Sequence, residues 1–563
     1  MDESVWILPP ETEEAACLAS EVGVPHPIAR VLVNRKITEP ESARRFLFGT
    51  LGDLHDPYRM PGMAEAVDRI FRAAEKGERI LIFGDYDVDG VLSVVMLRKA
   101  LESVGAKVDY YIPERLKEGY GIKEEHVAVA AERGVGLVIS VDCGIRATGF
   151  ARKAREFGMD VIITDHHPPG PELPLAVAIL NPALPRSRYP DQRLAGVGVT
   201  FKLIQAVLAK KGRERHLRHY MKLVSIGTIS DVVQLRGENR LFVKFGLREL
   251  GTVSNLGLKS LIEACGLKGR KISEGDVGFR IGPRINAAGR MGMTDLAVRL
   301  FFSESKDESA DIVRKLDELN SRRQTAEEKI YAQALDRVKR KALDKSHKIL
   351  ILGCEEWHRG IIGIVASRLK DAFCRPVILF SYDDARAFGS GRSISEFSLI
   401  DCLEECREYF LTYGGHPLAV GCSLRRESFP DFRKAANAVA DSRITDEQMR
   451  KKILIDAPLD FSEITNSFLD SFALLDPFGS GNPRPIFLTE GAELVGPPQK
   501  LLGRHAKFFL RQAGRTFEAL AWDRAEWAEN LRAGDRLAVA YSLRFSSFQD
   551  EERLSLSLEG LKK

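Results

Sequence analysis

The stretch LIFGDYDVDG, residues 81–90, places three aspartates at alternate positions and ends in a glycine. This spacing matches the first half of an EF-hand calcium loop, which also requires a glutamate six positions after the glycine. That position is Met96, which does not ligate calcium. An EF-hand also needs a helix before the loop, whereas the preceding RILIF is a short apolar run typical of a buried strand. The stretch therefore predicts a strand that ends in three acids for another kind of site: Asp85, Asp87 and Asp89.

From about residue 61 onward, helical and strand patterns alternate along the sequence. Strand-like runs such as VDYYIP, GLVISVD, DVIITD and LAVAILN are separated by helical patterns such as GVLSVVMLRKALESVG and TGFARKAREFG. Apolar strands joined by helices of this length predict right-handed crossovers and a parallel sheet covered on both faces. We therefore predict an α/β fold built around a parallel sheet.

A length of 563 residues is too great for one hydrophobic core and predicts several domains. Residues 304–346 lack Gly and Pro and are heavily charged, which indicates a long helix between two halves. A second strand–helix–strand pattern follows it, and alternating segments after about residue 450 predict a small antiparallel barrel. The predicted divisions are an N-terminal helical segment (1–60), a catalytic domain (61–303), the connecting helix (304–346), a smaller α/β domain (347–445) and a β-barrel domain (446–563).

The composition is that of a soluble globular protein, with 44% hydrophobic and 29% charged residues. The acidic N-terminus lacks the pattern of a signal peptide, and no apolar run approaches the length of a membrane span. The eight cysteines form no CxxC pair and indicate reduced thiols, so we expect a cytoplasmic protein. Because the formal net charge is +4, any groove for nucleic acid must be locally basic.

Acids and imidazoles directly follow several of the predicted strands. Ligands of an open parallel sheet gather outside the carboxyl ends of its strands, so we expect these side chains to meet in one crevice. A fourth segment, GTISDVV, has a helical pattern and adds one more acid. The residues expected to converge are Asp85, Asp87, Asp89, Asp142, Asp165, His166, His167 and Asp231.

So many carboxylates in one crevice require a counter-charge, because like charges at short range raise one another's pKa values. Divalent cations supply that charge. An all-oxygen set favours Mg²⁺, whereas one or two imidazoles shift the preference toward Mn²⁺. Two cations about 3.5–4 Å apart would activate a water and stabilise a leaving oxygen. Asp165 taken alone is better interpreted as a carboxylate that orients a neighbouring imidazole.

These motifs resemble those of the DHH phosphoesterase superfamily, which is named for the triplet found here at residues 165–167. GDYDVDG, VDCG, TDHH and GTISDVV stand in the superfamily's order. Within it, the chain is similar to the RecJ family of bacterial exonucleases, nearly to its C-terminus. The segments that carry this similarity are IPERLKEGYG (112–121), GPRINAAGRMG (282–292), WHRGIIGIVASRL (357–369), GSGRS (389–393), GGHPLAVG (414–421) and DPFGSGNPRPIF (476–487).

The resemblance implies two metal sites that share Asp142. The implied ligands are Asp85, Asp87 and Asp142 for one cation, and Asp89, Asp142, His166 and Asp231 for the other. It also implies that His167 lies beside the scissile phosphate and forms the catalytic group together with Asp87 and Asp142. The smaller α/β domain would be a DHH-associated domain, and the C-terminal barrel would be an OB-fold.

Polar and aromatic residues in the other motifs are candidate DNA contacts. GSGRS offers backbone N–H groups and a guanidinium for a terminal phosphate, although a glycine turn with a surface arginine fits the same letters. GGHPLAVG would let backbone approach a ligand closely, or would form a tight turn with a satisfied histidine. GPRINAAGR fits phosphate contacts and a salt-bridged domain seam equally well. Aromatic side chains can stack on bases. The candidates are Arg115, Tyr120, Arg284, Asn286, Arg290, Ser390, Arg392 and His416.

The sequence predicts a metal-dependent 5′→3′ exonuclease that degrades single-stranded DNA to mononucleotides in repair and recombination. Its cofactors would be two divalent cations, with Mn²⁺ preferred over Mg²⁺. A channel too narrow for a duplex would select single strands. The expected partners are a single-strand-binding protein and a helicase, and the enzyme would act as a monomer away from membranes.

Two other functions fit parts of the pattern. A DHH phosphodiesterase of short oligonucleotides or cyclic dinucleotides has the same acids, but such relatives are shorter and lack the N-terminal helical segment and the C-terminal barrel. A replication-fork scaffold could keep the fold without its chemistry. The intact acids in all four segments argue against the scaffold.

Overall fold

The computed structural model describes residues 4–114, 118–119, 121–529, 531–548 and 551–563. The chain divides into two compact units, one formed by residues 1–314 and 453–563 and the other by residues 315–452. We call them the first and the second unit. Among the described residues, none of the helices has the length and apolar character needed to cross a bilayer.

The first unit begins with a short strand and three helices. The helices place their apolar side chains on one face, and proline occupies the first turn of two of them, where the missing N–H costs no hydrogen bond. The elements are β1 (Val5–Ile7), α1 (Glu13–Val22), α2 (His26–Asn34) and α3 (Pro40–Phe48).

A five-stranded parallel sheet forms the centre of the first unit, with strand order β3-β2-β4-β5-β6. Its middle strands are apolar on both faces because helices cover them on both sides. The strands are β2 (Arg79–Gly84), β3 (Lys107–Tyr111), β4 (Val135–Val141), β5 (Asp160–Thr164) and β6 (Ala178–Leu180).

Helices surround this sheet, and two of them, α5 and α8, are almost entirely buried. A π-helical turn over Val277–Ile281 joins α12 directly to α13. The helices are α4 (Met63–Lys76), α5 (Val88–Ser103), α6 (His126–Glu132), α7 (Thr148–Glu156), α8 (Gly196–Lys210), α9 (Met221–Ser230), α10 (Gly237–Glu249), α11 (Leu256–Ala264), α12 (Glu274–Asp276), α13 (Gly282–Arg290) and α14 (Thr294–Phe302).

The long helix that the sequence predicts over 304–346 is shorter in the structure. Helix α15 (Lys306–Arg340) ends two residues before Ala342, which has a left-handed φ of 48° and cannot continue a right-handed helix. A separate short helix, α16 (Leu343–Ser346), follows.

The second unit contains a mixed five-stranded sheet in the order β10-β11-β9-β8-β7, in which only the β7–β8 pair is parallel. The strands are β7 (Leu350–Cys354), β8 (Val377–Tyr382), β9 (Arg386–Arg392), β10 (Phe410–His416) and β11 (Ala419–Arg425). The helices are α17 (Ile362–Phe373), α18 (Leu399–Glu405) and α19 (Phe429–Arg443).

The C-terminal part of the first unit is a β-barrel. Strands β14, β18, β19, β17 and β16 pair in that order, and β16 pairs with β14 to close the barrel. Its core continues into the N-terminal helices, since Leu18, Ile28 and Leu47 share one buried cluster with Phe487 and Tyr541. The elements are β12 (Lys452–Leu454), β13 (Ala457–Pro458), α20 (Asn466–Ala473), β14 (Phe487–Leu494), β15 (Gln499–Leu501), β16 (His505–Gln512), β17 (Arg515–Ala521), β18 (Arg536–Phe548) and β19 (Glu551–Lys562).

Candidate metal centre

The central strands of the parallel sheet end at the same level. Gly84 of β2 is paired with Val141 of β4, and Val141 is paired with Thr164 of β5. The next residue after each strand is an aspartate, so Asp85, Asp142 and Asp165 start from one edge of the sheet. Strand register alone therefore brings together three segments that are distant in sequence.

The predicted ligands meet at this edge in overlapping groups. Within each group, one potential ligand atom from every residue lies within 4.8 Å of the others. The Nε2 atom of His166 lies 3.2 Å from Asp142 Oδ1 and 3.7 Å from Asp231 Oδ2. The groups are Asp85 with Asp87 and Asp142, Asp89 with His166 and Asp231, and Asp142 with His166 and His167.

Asp142 occurs in two of these groups, and its backbone conformation is unusual. Its φ of 59° lies in the left-handed region, which aspartate tolerates better than most residues. Its amide donates to Thr164 O at 2.9 Å, and its side chain is buried. A Cβ on Gly196 would lie 2.5 Å from Asp142 Oδ1, so glycine leaves the space that this carboxylate occupies.

The N-terminus of helix α8 holds the carboxylate of Asp89. The amide of Gly196 donates to Asp89 Oδ2 at 2.8 Å, and the amide of Val197 donates to Asp89 Oδ1 at 2.5 Å. The positive end of the helix dipole therefore points at this acid. Sequence reasoning did not find this contact, because Gly196 lies in an apolar helical pattern that carries no charge signal.

The electrostatics of the cluster favour a bound cation. Burial and the charge of Asp87 raise the pKa of Asp89 to about 7. Burial and the neighbouring carboxylates also raise the pKa values of Asp142 and Asp231 well above their ordinary range. Ionised together, these acids repel one another unless a positive charge lies between them.

Unsatisfied polar atoms support the same conclusion. Asp142 Oδ1, His166 Nε2 and Asp231 Oδ2 are buried and form no hydrogen bond among the described residues, although His166 Nε2 lies 3.2 Å from Asp142 Oδ1. Buried polar atoms are normally hydrogen-bonded, so three of them facing one point need an explanation. Carboxylate oxygens and a neutral imidazole nitrogen fit Mn²⁺, and the acids alone fit Mg²⁺.

His166 is in the protonation state that a metal ligand needs. Burial, and then the charge of His167, lower its pKa to about 4. The ring is therefore neutral near pH 7, and Nε2 can ligate a cation.

Asp165 faces the neighbouring histidines and holds one of their rings. Its Oδ1 atom accepts hydrogen bonds from the amides of His166 and His167 and contacts His167 Nδ1 at 2.8 Å, while Oδ2 accepts from Ile145 N. Burial opposes ionisation of Asp165, but these hydrogen bonds lower its pKa overall. Burial likewise tends to lower the pKa of His167, yet the contact with Asp165 raises it.

A cavity of about 270 Å³ opens beside the predicted ligands. Helix α13 forms one wall of it through Asn286, Gly289 and Arg290. Sequence reasoning predicted Asn286 and Arg290 but missed Gly289, although it lies in the same motif. It also missed Tyr86 and Ser230, whose proximity in sequence to Asp85 and Asp231 was the available signal.

Helix α13 contacts the segment that carries Asp85, Asp87 and Asp89. Asn286 Oδ1 accepts from Val88 N at 3.1 Å, and a Cβ on Gly289 would lie 2.3 Å from Tyr86 O. Asn286, predicted as a phosphate contact, thus has a positioning role through its carbonyl oxygen. Arg284 donates to Arg280 O and is absent from the described lining of the cavity.

Three other candidates lie in the sheet of the second unit, two of them at the same end of their strands. Arg392 of β9 pairs with Ala419, which pairs with His416 of β10, so the three residues are level across adjacent strands. Ser390 lies on β9 as well, and a Cβ on Gly363 would lie 2.8 Å from its Oγ. Arg115 and Tyr120, the remaining candidates, lie outside the described residues.

The three domains match protein-family models over most of the chain. The N-terminal domain of the DHH family matches residues 79–228, the DHHA1 domain matches residues 346–442, and the RecJ OB domain matches residues 455–560. The single-stranded-DNA-specific exonuclease RecJ of Bacillus subtilis (strain 168) is 38% identical over 98% of this chain and 70% of its own length. The enzyme of the same name from Escherichia coli (strain K12) is 32% identical and is covered completely, as is this chain.

The chain belongs to the RecJ family. The crystal structure of RecJ with Mn²⁺ from Thermus thermophilus has a TM-score of 0.84 at 32% identity and covers 100% of this chain and 80% of its own. The structure of the same RecJ with Mg²⁺ has a TM-score of 0.79 at 30% identity, with coverages of 100% and 78%. The predicted fold class is confirmed: a parallel-sheet DHH domain, a DHH-associated domain and a closed OB barrel.

In this RecJ-family centre, binding of Mn²⁺ should strengthen as pH rises. Ligation requires the ionised form of Asp89, whose pKa burial and Asp87 raise to about 7. A proton therefore competes with the cation below that pH and is lost above it. When the pH is lowered from 8 to 6, we expect protonation of Asp89 alone to weaken Mn²⁺ binding about tenfold. Electron paramagnetic resonance of free Mn²⁺ measures this affinity. Equal affinity at both pH values would contradict the raised pKa.

Gly196→Ala should weaken Mn²⁺ binding by about tenfold to 100-fold, because the added methyl group displaces Asp142. The Cβ would also lie 2.8 Å from Asp142 Cβ, so a rotation of the side chain cannot remove the clash. Gly198→Ala is the matched control on the same helix, since its Cβ would meet only ordinary contacts at 3.4 Å. Mn²⁺ titration of both variants checks the prediction, and equal affinities would show that Gly196 does not position the acid.

Proposed function

We propose that this RecJ-family protein hydrolyses single-stranded DNA from its 5′ end and releases mononucleotides at the metal centre of the first unit. The observation that carries the proposal is the convergence of two potential ligand groups on Asp142, in a chain that matches named single-stranded-DNA-specific exonucleases over nearly its whole length. The enzyme acts in DNA repair and recombination, where single strands with free ends arise.

Two divalent cations, Mn²⁺ or Mg²⁺, supply activation of water and stabilisation of the phosphoryl charge when bound. Asp142 would be shared between them, with Asp85 and Asp87 on one side and Asp231 and His166 on the other. Asp89 completes the second group, and the two amides of helix α8 fix its orientation.

The remaining groups of the site orient the phosphodiester. Asp165 holds His167 through Nδ1, so any contact of this ring with the substrate would be made by Nε2. The raised pKa of His167 favours the protonated ring, which can donate a hydrogen bond to a phosphoryl oxygen. Arg290 lines the same cavity and adds a positive charge opposite the acids.

We also propose DNA contacts outside the metal centre. Ser390, Arg392 and His416 would hold phosphate groups, with the guanidinium of Arg392 suited to a bidentate contact. Arg284, which lies on helix α13, would contribute positive charge. Arg115 would contact the 5′ end, and Tyr120 would stack on a base. We further propose a cytoplasmic monomer that receives its substrate from a helicase and a single-strand-binding protein.

The two alternative functions lose support. The OB barrel and the match over the whole chain argue against a short phosphodiesterase of cyclic dinucleotides. A scaffold without chemistry does not account for buried acids that require a cation.

Digestion of end-labelled DNA tests the proposed function. With Mn²⁺, a 5′-labelled single strand should release its label as mononucleotide in the first turnover, while a 3′-labelled strand should shorten progressively. A blunt duplex of the same sequence should stay intact, and chelation of the metal should stop the reaction. Release of label first from the 3′ end, or equal digestion of the duplex, would contradict the proposal.

A further inference from the structure

The side chain of Phe279 is 85% exposed on the π-helical turn beside the metal centre. The turn spans Val277–Ile281, and its first and last residues are fully buried on the opposite face. Turns of this kind are frequent at functional sites. Single exposed apolar residues are common, so exposure alone does not identify a binding site.

The position of the turn gives the second observation. A Cβ on Gly278 would lie 3.9 Å from Ile229 Cγ2, and a Cβ on Gly282 would lie 2.7 Å from Ser230 Oγ. The turn therefore packs against the end of α9, the helix that leads directly into Asp231. Ser230 and Asp231 both line the cavity of the metal centre.

The same helical run continues along the wall of that cavity. Asn286 and Arg290 of α13 line it, and Phe279 precedes Asn286 by about 10 Å along the helix axis at 1.5 Å per residue. Successive stacked nucleotides of a strand are ~3.4 Å apart, so a strand that follows this helix from Asn286 would reach Phe279 after about three nucleotides.

Two arginines follow Phe279 closely in the sequence. Arg280 is the next residue, and its side chain is 43% exposed although it also contacts Asp276. Arg284 follows one turn later and donates to Arg280 O. An exposed aromatic ring with arginines close by in sequence, on a turn that packs against residues lining a polar cavity, suits binding of a single strand without reading its sequence.

We propose that Phe279 stacks on a base of the single strand, about three nucleotides to the 3′ side of the phosphodiester in the metal centre. This inference rests on the proposed function. The 5′ nucleotide is the one released, so the part of the strand that reaches Phe279 is the part retained by the enzyme. Because every base has a flat π-face, the contact holds the strand in position without sequence preference.

Loss of the contact should affect long substrates and spare short ones. Removal of an aromatic ring that stacks on a base weakens binding by about tenfold or more. We therefore expect Phe279→Ala to raise KM for a 20-nucleotide strand by about tenfold with kcat unchanged. Hydrolysis of a 5′-phosphorylated dinucleotide should stay the same, because it is too short to reach the ring.

Strands with one abasic nucleotide test the contact without changing the protein. In the wild type with Ca²⁺ in place of Mn²⁺, the abasic position should be moved stepwise from the 5′ end while affinity is measured by fluorescence anisotropy. One position, near the third or fourth nucleotide, should bind about tenfold more weakly than its neighbours. Phe279→Ala should bind all of these strands equally. The variant has already lost the stacking contact, so removal of the base causes no further loss of affinity.

Two further variants separate stacking from packing. Phe279→Trp should keep the abasic-position effect, whereas Phe279→Leu should lose it although an apolar side chain remains. Phe157→Ala is the matched control, because Phe157 is 58% exposed and precedes the amino end of β5, at the opposite edge of the sheet. Its KM for long strands should equal that of the wild type.

The outcomes are distinct for the inference and for the proposed function. An abasic scan without a sensitive position in the wild type would overturn the stacking contact, as would an equal loss by Phe279→Ala on the dinucleotide and the long strand. Failure of the wild type to hydrolyse either substrate with Mn²⁺ would instead overturn the proposed function. A sensitive position that Phe279→Ala abolishes supports the inference.

Discussion

Asp142→Asn is expected to lower exonuclease activity by at least about 10³-fold and, at the same time, to stabilise the metal-free protein. The activity falls because Asp142 occurs in two of the three potential ligand groups, once with Asp85 and Asp87 and once with His166 and His167, so its loss would remove a ligand from both. The stability rises because burial and four neighbouring aspartates raise the pKa of Asp142, so its ionised form is unfavourable in the folded state. A carboxylate with a raised pKa destabilises the folded state increasingly as pH rises above the unfolded value, and the amide removes this effect.

Thermal unfolding with and without Mn²⁺ measures both effects in one protein. In the presence of chelator at pH 8, we expect Tm of Asp142→Asn to exceed that of the wild type by at least about 2 °C. Added Mn²⁺ should raise Tm of the wild type and leave that of the variant nearly unchanged. Asp109→Asn is the control, since Asp109 is half-exposed on edge strand β3 and its ion pair with Arg79 is long, at 3.8 Å. A variant that still gains stability from Mn²⁺ would show that Asp142 is not shared between the cations.

The convergence of the acids could be predicted from sequence because it follows from topology. Each of β2, β4 and β5 is a short apolar run followed at once by an aspartate. Parallel strands in register end at one edge, so no side-chain detail was needed to place Asp85, Asp142 and Asp165 together. The barrel could also be predicted from sequence, because its alternating pattern reflects strands with one buried and one exposed face.

Contacts between elements could not be predicted from local patterns. The amides that hold Asp89 come from helix α8, more than a hundred residues further along the chain. The N-terminal helices share their core with the barrel, which is a tertiary contact that neither segment's periodicity records. The π-helical turn differs from an α-helix by one hydrogen-bond step, so the letters of residues 277–281 fit both.

The structure also adds positioning roles to some predicted residues. Asn286 lines the cavity, where its phosphate contact stays a prediction, and its carbonyl oxygen also accepts from Val88 N at the start of helix α5. The adjacent Gly289 leaves room for Tyr86 O. The GPRINAAGR motif therefore fixes the loop that carries the first three acids, in addition to presenting Arg290 to the cavity.

His167→Ala should lower kcat by about 10²-fold to 10⁴-fold while leaving Mn²⁺ affinity nearly unchanged. Asp165 holds the ring through Nδ1 and raises its pKa, which favours a protonated ring that donates to the phosphodiester from Nε2. Removal of the ring thus removes a hydrogen bond that strengthens as negative charge develops on the phosphoryl group. His167→Gln, which keeps a donor of similar reach, should recover part of the loss.

The comparison of activity with metal affinity decides between two roles for this ring. His167 is close enough to Asp142 and His166 to serve as a ligand, and a ligand's loss would weaken Mn²⁺ binding as strongly as Asp142→Asn does. A substrate contact predicts instead a fall in kcat at saturating Mn²⁺ and an unchanged Mn²⁺ titration. His219→Ala, an exposed histidine of the same unit, should alter neither quantity. Asp165→Asn separates the roles further, because an amide leaves the ring in place but removes the charge that favours its protonation, so kcat should fall without loss of the metal.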